Sequence, residues 1–307
     1  MISYIKFLLN NNILFEIMKC PRRIIVIGDI HGDDEIFIST LKMCNVINNL
    51  HEWIGGDTYV IQMGDILGGK RPTASPMTKT YSNRAGEILM NKNLLLLDSQ
   101  ARLCGGRVMS LIGNHELHPY YFHTDKRFID QYVKKIDSRM YRKIFNCSRE
   151  KFWLPGKMGG KILGERPLLL NYGQFLFIHG DVSDDLVNFS TDIDYINKNM
   201  SMWLKTGKKI PSFMHSHDSN PVFLKAGEQS INRVKLLNNN IKYIIVGNKP
   251  SDECKNIFRP YSEMSRAFGG NLNECEKKME VLEIIQEEES IHVSIINNNG
   301  TRAIDLN

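Results

Sequence analysis

Unbroken runs of branched apolar residues alternate with amphipathic stretches along the first third of the chain. RIIVIGDI, over Arg23–Ile30, lacks the period-two alternation of a half-exposed strand and predicts one buried on both faces. Asp33 then caps a predicted helix reaching about Val46, with Ile36, Leu41 and Cys44 near helical spacing. TYVIQMGDI (Thr58 to Ile66) predicts a second strand that breaks at Gly68–Gly69. A polar loop from Lys70 to Asn83, a helix over roughly Arg84 to Leu103 and a third strand, GRVMSLIGN (Gly106 to Asn114), follow. Strand–helix–strand–helix–strand is the order of an α/β fold with parallel strands.

Beyond this, Lys126 to Asn146 reads as helical and charged, and strands return at Leu168–Asn171, Gln174–His179 and Ile241–Val246. Two apolar runs, VLEII and IHVSII, flank the acidic QEEES between Glu280 and Asn297, which predicts a hairpin, with a helix to Glu289 as the competing reading. No Pro/Gly-rich linker divides the chain, so one domain is expected over 22–307. Residues 1–21 read as an appended helix or ill-ordered leader: three asparagines and Glu16 break the apolar run, and no small-residue cleavage site follows.

With 42% hydrophobic and 24% charged residues, the chain excludes disordered and fibrous classes. A net charge of +5, with scattered rather than clustered Lys and Arg, argues against nucleic acid as a partner. No stretch approaches the ~20 apolar residues of a membrane span. The six cysteines (Cys20, Cys44, Cys104, Cys147, Cys254, Cys275) form no Cys-x-x-Cys, which fits reduced thiols in a cytoplasmic protein rather than zinc fingers or a disulfide framework.

The chemistry collects at strand ends: Gly28-Asp29-Ile30-His31-Gly32-Asp33, Gly64-Asp65, Gly113-Asn114-His115-Glu116 and Ile178-His179-Gly180-Asp181. Ligands of α/β sheets bind beyond the carboxyl ends of the strands, so Asp29, His31, Asp65, Asn114 and His179 are expected around one crevice. Carboxylates, imidazoles and an amide oxygen suit Mn, Fe or Zn. A carboxylate shared by two ions about 3.5–4 Å apart is the arrangement that hydrolyses phosphate esters.

In the order GDxHG, GD, GNHE and HG, the chain resembles the calcineurin-like metallophosphoesterases, specifically their phosphoprotein phosphatase branch. Met264-Ser265-Arg266-Ala267-Phe268-Gly269 and Val281-Leu282-Glu283-Ile284 resemble the C-terminal part of Shewanella-like protein phosphatases and relatives in large DNA viruses. The resemblance runs from about Arg22 to Ile296. It implies a two-sheet β-sandwich flanked by helices and two divalent ions (Mn, Fe or Zn). Asp29 and His31 would hold the first, Asp65 would bridge, and Asn114 and His179 would hold the second. His115 would be general acid, and the implied substrate is a Ser/Thr-phosphorylated protein or a small phosphoester.

The departures fall on catalysis. The family's GDxxDRG reads Gly64-Asp65-Ile66-Leu67-Gly68-Gly69-Lys70, so Gly68 replaces the carboxylate that orients the catalytic histidine and Gly69 the phosphate-gripping arginine. The late Val-Gly-His-Thr-Pro is Val246-Gly247-Asn248-Lys249-Pro250, and Asp181 stands where glycine follows the metal histidine, tolerable because Asp accepts unusual turn dihedrals. Arg71 is within about 7 Å of Gly69 along the chain and could swing back to the phosphate. Lys225 stands near the place of a second phosphate-binding arginine, and Asn248 still offers an amide oxygen to a metal; His217 could substitute as a ligand, but His215-Ser216-His217-Asp218 reads first as a polar loop. Losing the orienter of a catalytic histidine can cost ~10⁴ in rate, so a pseudophosphatase that binds phosphoproteins stays open, as does a dinucleotide polyphosphate hydrolase. The P-loop match Gly64–Lys70 fails because Arg71 replaces the magnesium-binding hydroxyl residue and Pro72 follows.

Overall fold

The computed structural model describes residues 21–68, 86–124, 139–216, 218–248, 257–258, 280–288 and 290–306. The first three strands are β1 (Arg23–Ile27), β2 (Tyr59–Gln62) and β3 (Arg107–Ser110). They pair in parallel and are connected through the helices Asp34–Met43 and Gly86–Leu103. Next come β4 (Leu169–Tyr172), β5 (Phe175–Ile178), β6 (Tyr243–Val246) and β7 (Ile257–Phe258), then β8 (Val281–Gln286), β9 (Ile291–Asn297) and β10 (Gly300–Ile304). One sheet runs β10-β9-β8-β1-β2-β3, the other β4-β5-β6-β7.

Side-chain alternation along each strand explains why the runs are apolar throughout. On β1, Ile24 and Val26 meet Phe175, Phe177 and Ile245 of the facing sheet. Ile25 and Ile27 point the other way, into Phe37 and Leu41 of Asp34–Met43 and Met90, Leu94 and Leu97 of Gly86–Leu103. The outer face of the second sheet (Leu176, Ile178, Ile244, Val246) is covered by Ile196, Met200, Trp203 and Leu204 from the helix Ile193–Thr206. The result is four layers, helix–sheet–sheet–helix, and both faces of the central strands β1, β2, β5 and β6 are buried. Truncating one central ring, Phe177→Ala, costs ~3–5 kcal/mol.

Local signals behave as expected at several ends. Asp33 caps the first helix by accepting the Ile36 N–H, while Asp34 and Glu35 complement the helix dipole. The C-terminal hairpin forms, β8 against β9, rather than the competing helix. It also places β8 antiparallel to β1 and adds β10, an edge strand that the sequence pattern did not predict. The third predicted strand is shorter than expected. Its pairing ends at Ser110, and Asn114 already opens the helix Asn114–Thr124. Of the charged middle segment, the helix Arg139–Phe145 is described. Arg71, His217 and Met264–Gly269 lie outside the described residues.

Candidate functional site

The carboxyl ends of β1, β2 and β3 open on one edge of the first sheet, and those of β5 and β6 meet them from the second. Asp29, Asp65, Asn114, His179 and Asn248 each follow one of these ends by one to four residues. Three residues here, His31 (φ 49), Asp65 (φ 56) and Asn248 (φ 56), take left-handed backbone conformations. Such strain costs of order 1–3 kcal/mol and persists where surrounding structure enforces it.

Backbone carbonyls set the histidines. His179 Nδ1 is 2.7 Å from the Met63 oxygen and His31 Nδ1 is 3.0 Å from that of Leu67. A carbonyl only accepts, so each Nδ1 carries its proton and each Nε2 keeps the lone pair. Both Nε2 atoms turn to Asp65: that of His179 lies 3.4 Å from Oδ1, that of His31 3.9 Å from Oδ2. His115 Nε2 is 3.8 Å from the same Oδ2, while its backbone N–H donates to Oδ1 at 2.9 Å. Asp29 Oδ1 lies 3.7 Å from His179 Nδ1.

Two trios of ligand atoms, each within 4.8 Å of one another, therefore share Asp65: His31–Asp65–His115 and Asp29–Asp65–His179. Asp65 is the common member, as a bridging carboxylate must be. Asp29 groups with His179 in one trio, and His115 joins His31 in the other.

The Asn114 carboxamide tests whether this donor set fits a cation. With its oxygen inward, that oxygen is 2.9 Å from His179 Nε2. The same position lies 3.1 and 2.9 Å from the two Asp65 oxygens. Acceptors crowded this closely repel unless a cation sits among them or the amide turns its nitrogen inward, where its two N–H groups donate to His179 Nε2 and the Asp65 carboxylate. The residues thus fit divalent ions, and the amide supplies an alternative for the metal-free state.

Support comes from buried polar residues. Glu116 accepts the N–H groups of Asp65, Leu67 and Gly113, which clamps the β2 and β3 loops together. Gln62, fully buried on β2, donates to the Gly28 carbonyl and accepts from Gly64 N–H and Ser110 Oγ. Gly247 is required by close approach: a Cβ there would come within 2.7 Å of both Asp29 Oδ1 and His179 Nδ1.

Asn248 is held as a clasp. Its backbone N–H donates to Asp29 Oδ1 at 3.3 Å, and its amide nitrogen reaches the Val222 and Leu224 carbonyls at 3.4 and 3.3 Å. The side-chain oxygen is the atom left to offer a metal. The clasp fixes the loop that carries Lys225, which is exposed.

Asp181 corrects an expectation. It takes no left-handed dihedral; it is buried and pairs with Arg233 at 3.2 Å while accepting Val182 N–H. It ties β5 to the helix Ser230–Leu237.

His118 had no sequence signal. One turn along from Asn114, its ring lies 4.3 Å from that of His115 and stacks on Phe223 at 5.9 Å, with Phe122 edge-on at 5.7 Å. An aromatic wall therefore stands beside the candidate general acid.

Known proteins are similar to parts of this chain. Shewanella-like protein phosphatase 2 of Arabidopsis thaliana is 34% identical over 110 residues, covering 35% of this chain and 24% of that protein. Shewanella-like protein phosphatase 1 of Plasmodium berghei is 24% identical over 172 residues, 55% of this chain and 41% of that protein. The chain thus spans less than half the length of these two relatives. A cold-active protein-tyrosine phosphatase of a psychrophilic Shewanella species has the same fold, with a TM-score of 0.66 at 17% identity, covering 94% of this chain and 83% of that one. The model of the calcineurin-like phosphoesterases matches residues 22–248, the stretch from β1 to Asn248 that holds every candidate strand-end residue described above, and the chain belongs to that family.

Proposed function

We propose that the protein is a metal-dependent hydrolase of phosphate monoesters, with phosphorylated proteins as its substrates. The observation that carries this is the convergence of Asp29, His31 and His179 on Asp65, with His115 beside them as the proton donor. Divalent ions held by Asp29, His31, Asp65, Asn114 and His179, with Asn248 offering its amide oxygen, would supply Lewis acidity toward phosphoryl oxygens and an acidified water. Mn, Fe and Zn all suit the donor set.

The chain's own groups do the rest. Asn114 and Lys225 bind phosphoryl oxygens, and Arg71 is the residue proposed to reach them from the segment after Gly68. His115 holds the proton that the leaving alkoxide takes, a role worth about 10²–10⁴ in rate. The names of the Arabidopsis and Plasmodium relatives support protein phosphoesters as the substrate class.

A second reading, a phosphoprotein-binding pseudophosphatase, is favoured by Gly68, which removes the carboxylate that would orient His115. Turnover with manganese separates the two, measured on an aryl phosphate, phosphotyrosine and phosphoserine peptides and a dinucleotide polyphosphate. Manganese-dependent release from aryl phosphate and a phosphopeptide is the expected result. Binding of phosphopeptide without turnover would establish the second reading, and turnover of the dinucleotide alone would replace both.

A further inference from the structure

One peptide unit, Leu67–Gly68, is gripped at both ends. Its carbonyl oxygen accepts from His31 Nδ1 at 3.0 Å, and its N–H donates to Glu87 Oε1, also at 3.0 Å. Glu87 lies in the first turn of the helix Gly86–Leu103, buried, far along the chain from the strand-end motifs. Arg149 grips its carboxylate through Nε at 2.8 and 3.0 Å and through a terminal nitrogen at 2.6 Å. Tyr141 Oη donates to it at 2.7 Å and itself accepts from Trp153 Nε1 at 2.9 Å.

We propose that Glu87 is a positioning residue of the candidate metal centre, acting on His31 through the Leu67–Gly68 peptide. Histidine ligands are commonly oriented by a carboxylate on the far ring nitrogen, which fixes the tautomer and raises ligand basicity. Here a peptide is interposed. The carboxylate polarises the N–H, the carbonyl becomes a stronger acceptor, and Nδ1–H of His31 is held, leaving Nε2 for the ion. Hydrogen bonds in such chains strengthen one another in a low-dielectric interior.

Burial raises the carboxyl's pKa, but Arg149, Tyr141 and the Gly68 N–H together outweigh it and hold the group below its ordinary value. The anion the relay needs is therefore the form present. Gly32, next to His31, packs at the same place, where a Cβ would meet Glu87 Cγ at 3.3 Å. The helices Arg139–Phe145 and Arg149–Trp153 thereby reach the site through one buried ion pair.

The proposal rests on the metal reading of His31, and its test separates the two. Removing both charges, E87Q with R149M, avoids stranding either one in the core. The control is D98N with R107M, which removes a second ion pair (2.7 Å) from the same helix, 11 residues and roughly 16 Å further along. Titrating manganese into metal-stripped protein is expected to show affinity reduced ~10–100-fold in the first double variant and unchanged in the second. Nitrogen-15 histidine spectra of metal-free protein are expected to place the His31 proton on Nδ1 and to show mixed tautomers in the variant.

Wild-type manganese affinity in folded E87Q/R149M, or a wild-type His31 proton on Nε2, overturns the proposal. If wild-type protein binds no manganese, the metal reading falls and the tautomer comparison alone decides this one. If the double variant does not fold, Tyr141→Phe strips one donor from the carboxylate and concentrates its charge on Gly68 N–H. The Gly68 amide and His31 nitrogen signals are then expected to move together, and a His31 signal that stays fixed while Gly68 moves overturns the relay.

Discussion

Glu116 Oε2 accepts the backbone N–H of Asp65 at 2.8 Å, so the carboxylate at the centre of the site is placed by another carboxylate that never faces the ligand. The same oxygen takes Gly113 N–H at 2.8 Å and the other takes Leu67 N–H at 2.9 Å. Arg166 stands 3.9 Å away, its pKa lowered to about 10 because burial outweighs the Glu116 charge. In Glu116→Gln one amide face meets an N–H donor, and a buried unsatisfied donor costs ~1–3 kcal/mol. At ~2–4 °C per kcal/mol for a domain of this size, calorimetry of metal-free protein is expected to show melting lowered by several degrees. An unchanged melting temperature would show that the clamp is not needed.

Asp65 is the shared member of both trios, so Asp65→Asn is expected to abolish the rise in melting temperature that manganese gives the wild type. A ligand at 100 times its dissociation constant contributes about 2.7 kcal/mol, several degrees on the same scale. Thermal melts with and without manganese decide it. A full shift retained by the variant would remove Asp65 from the bridging position.

The parts of this molecule that were plain in its sequence are those whose cause is local. β1 is an unbroken apolar run because Ile24 and Val26 face one layer and Ile25 and Ile27 another. Asp33 announces its helix because the cap bond spans three residues. The strand-end candidate residues are legible because tight turns put glycine beside each. The helix Ile193–Thr206 also carries a local signal: Asp192 at its start, Ile196, Met200, Trp203 and Leu204 on one face, and Gly207 at φ 71 closing it. Gln62, Glu87 and His118 were not legible. Gln62 bonds across 34 and 48 residues, Glu87 across 62 to Arg149, and His118 to the distant ring of Phe223. A polar residue inside an apolar run looks like a defect until folding supplies its partner.

The Glu87–Arg149 pair carries a pH dependence. Glu87 is held below its ordinary pKa, first against burial and chiefly by Arg149. A depressed carboxyl adds stability that is present above its unfolded value, about 4.3, and lost as pH falls through the folded value. Wild-type stability is therefore expected to fall more steeply below about pH 4 than that of E87Q/R149M. Denaturant unfolding from pH 6 to pH 3 reads the difference, and parallel curves would contradict it.

Asn248→His puts an imidazole where the amide oxygen is the available donor. Imidazole is the better ligand for Mn, Fe and Zn, and histidine, like asparagine, tolerates positive φ. The exchange also cuts the clasp to Val222 and Leu224. Manganese affinity is expected to rise about tenfold, with faster aryl phosphate hydrolysis, while melting of metal-free protein drops by an amount typical of two lost weak hydrogen bonds, about 1 kcal/mol. A variant with unchanged affinity would show the clasp to be the residue's sole role.

Gly68→Asp restores the family's residue and is nevertheless expected to harm. Gly68 stands at φ +116, a conformation in which L side chains are strained, and a Cβ there would run into His115 and come within 2.8 Å of His31 Nδ1. The space beside Gly68 is filled by the His115 and His31 rings, so a side chain can enter only by displacing both imidazoles. Left-handed strain alone costs of order 1–3 kcal/mol, and displacing His31 breaks its bond to Leu67. Lower melting temperature, weaker manganese binding and slower aryl phosphate turnover are expected together. Faster turnover would mean instead that the loop can relax, and that its glycine is a loss of function rather than a fitted part of this site.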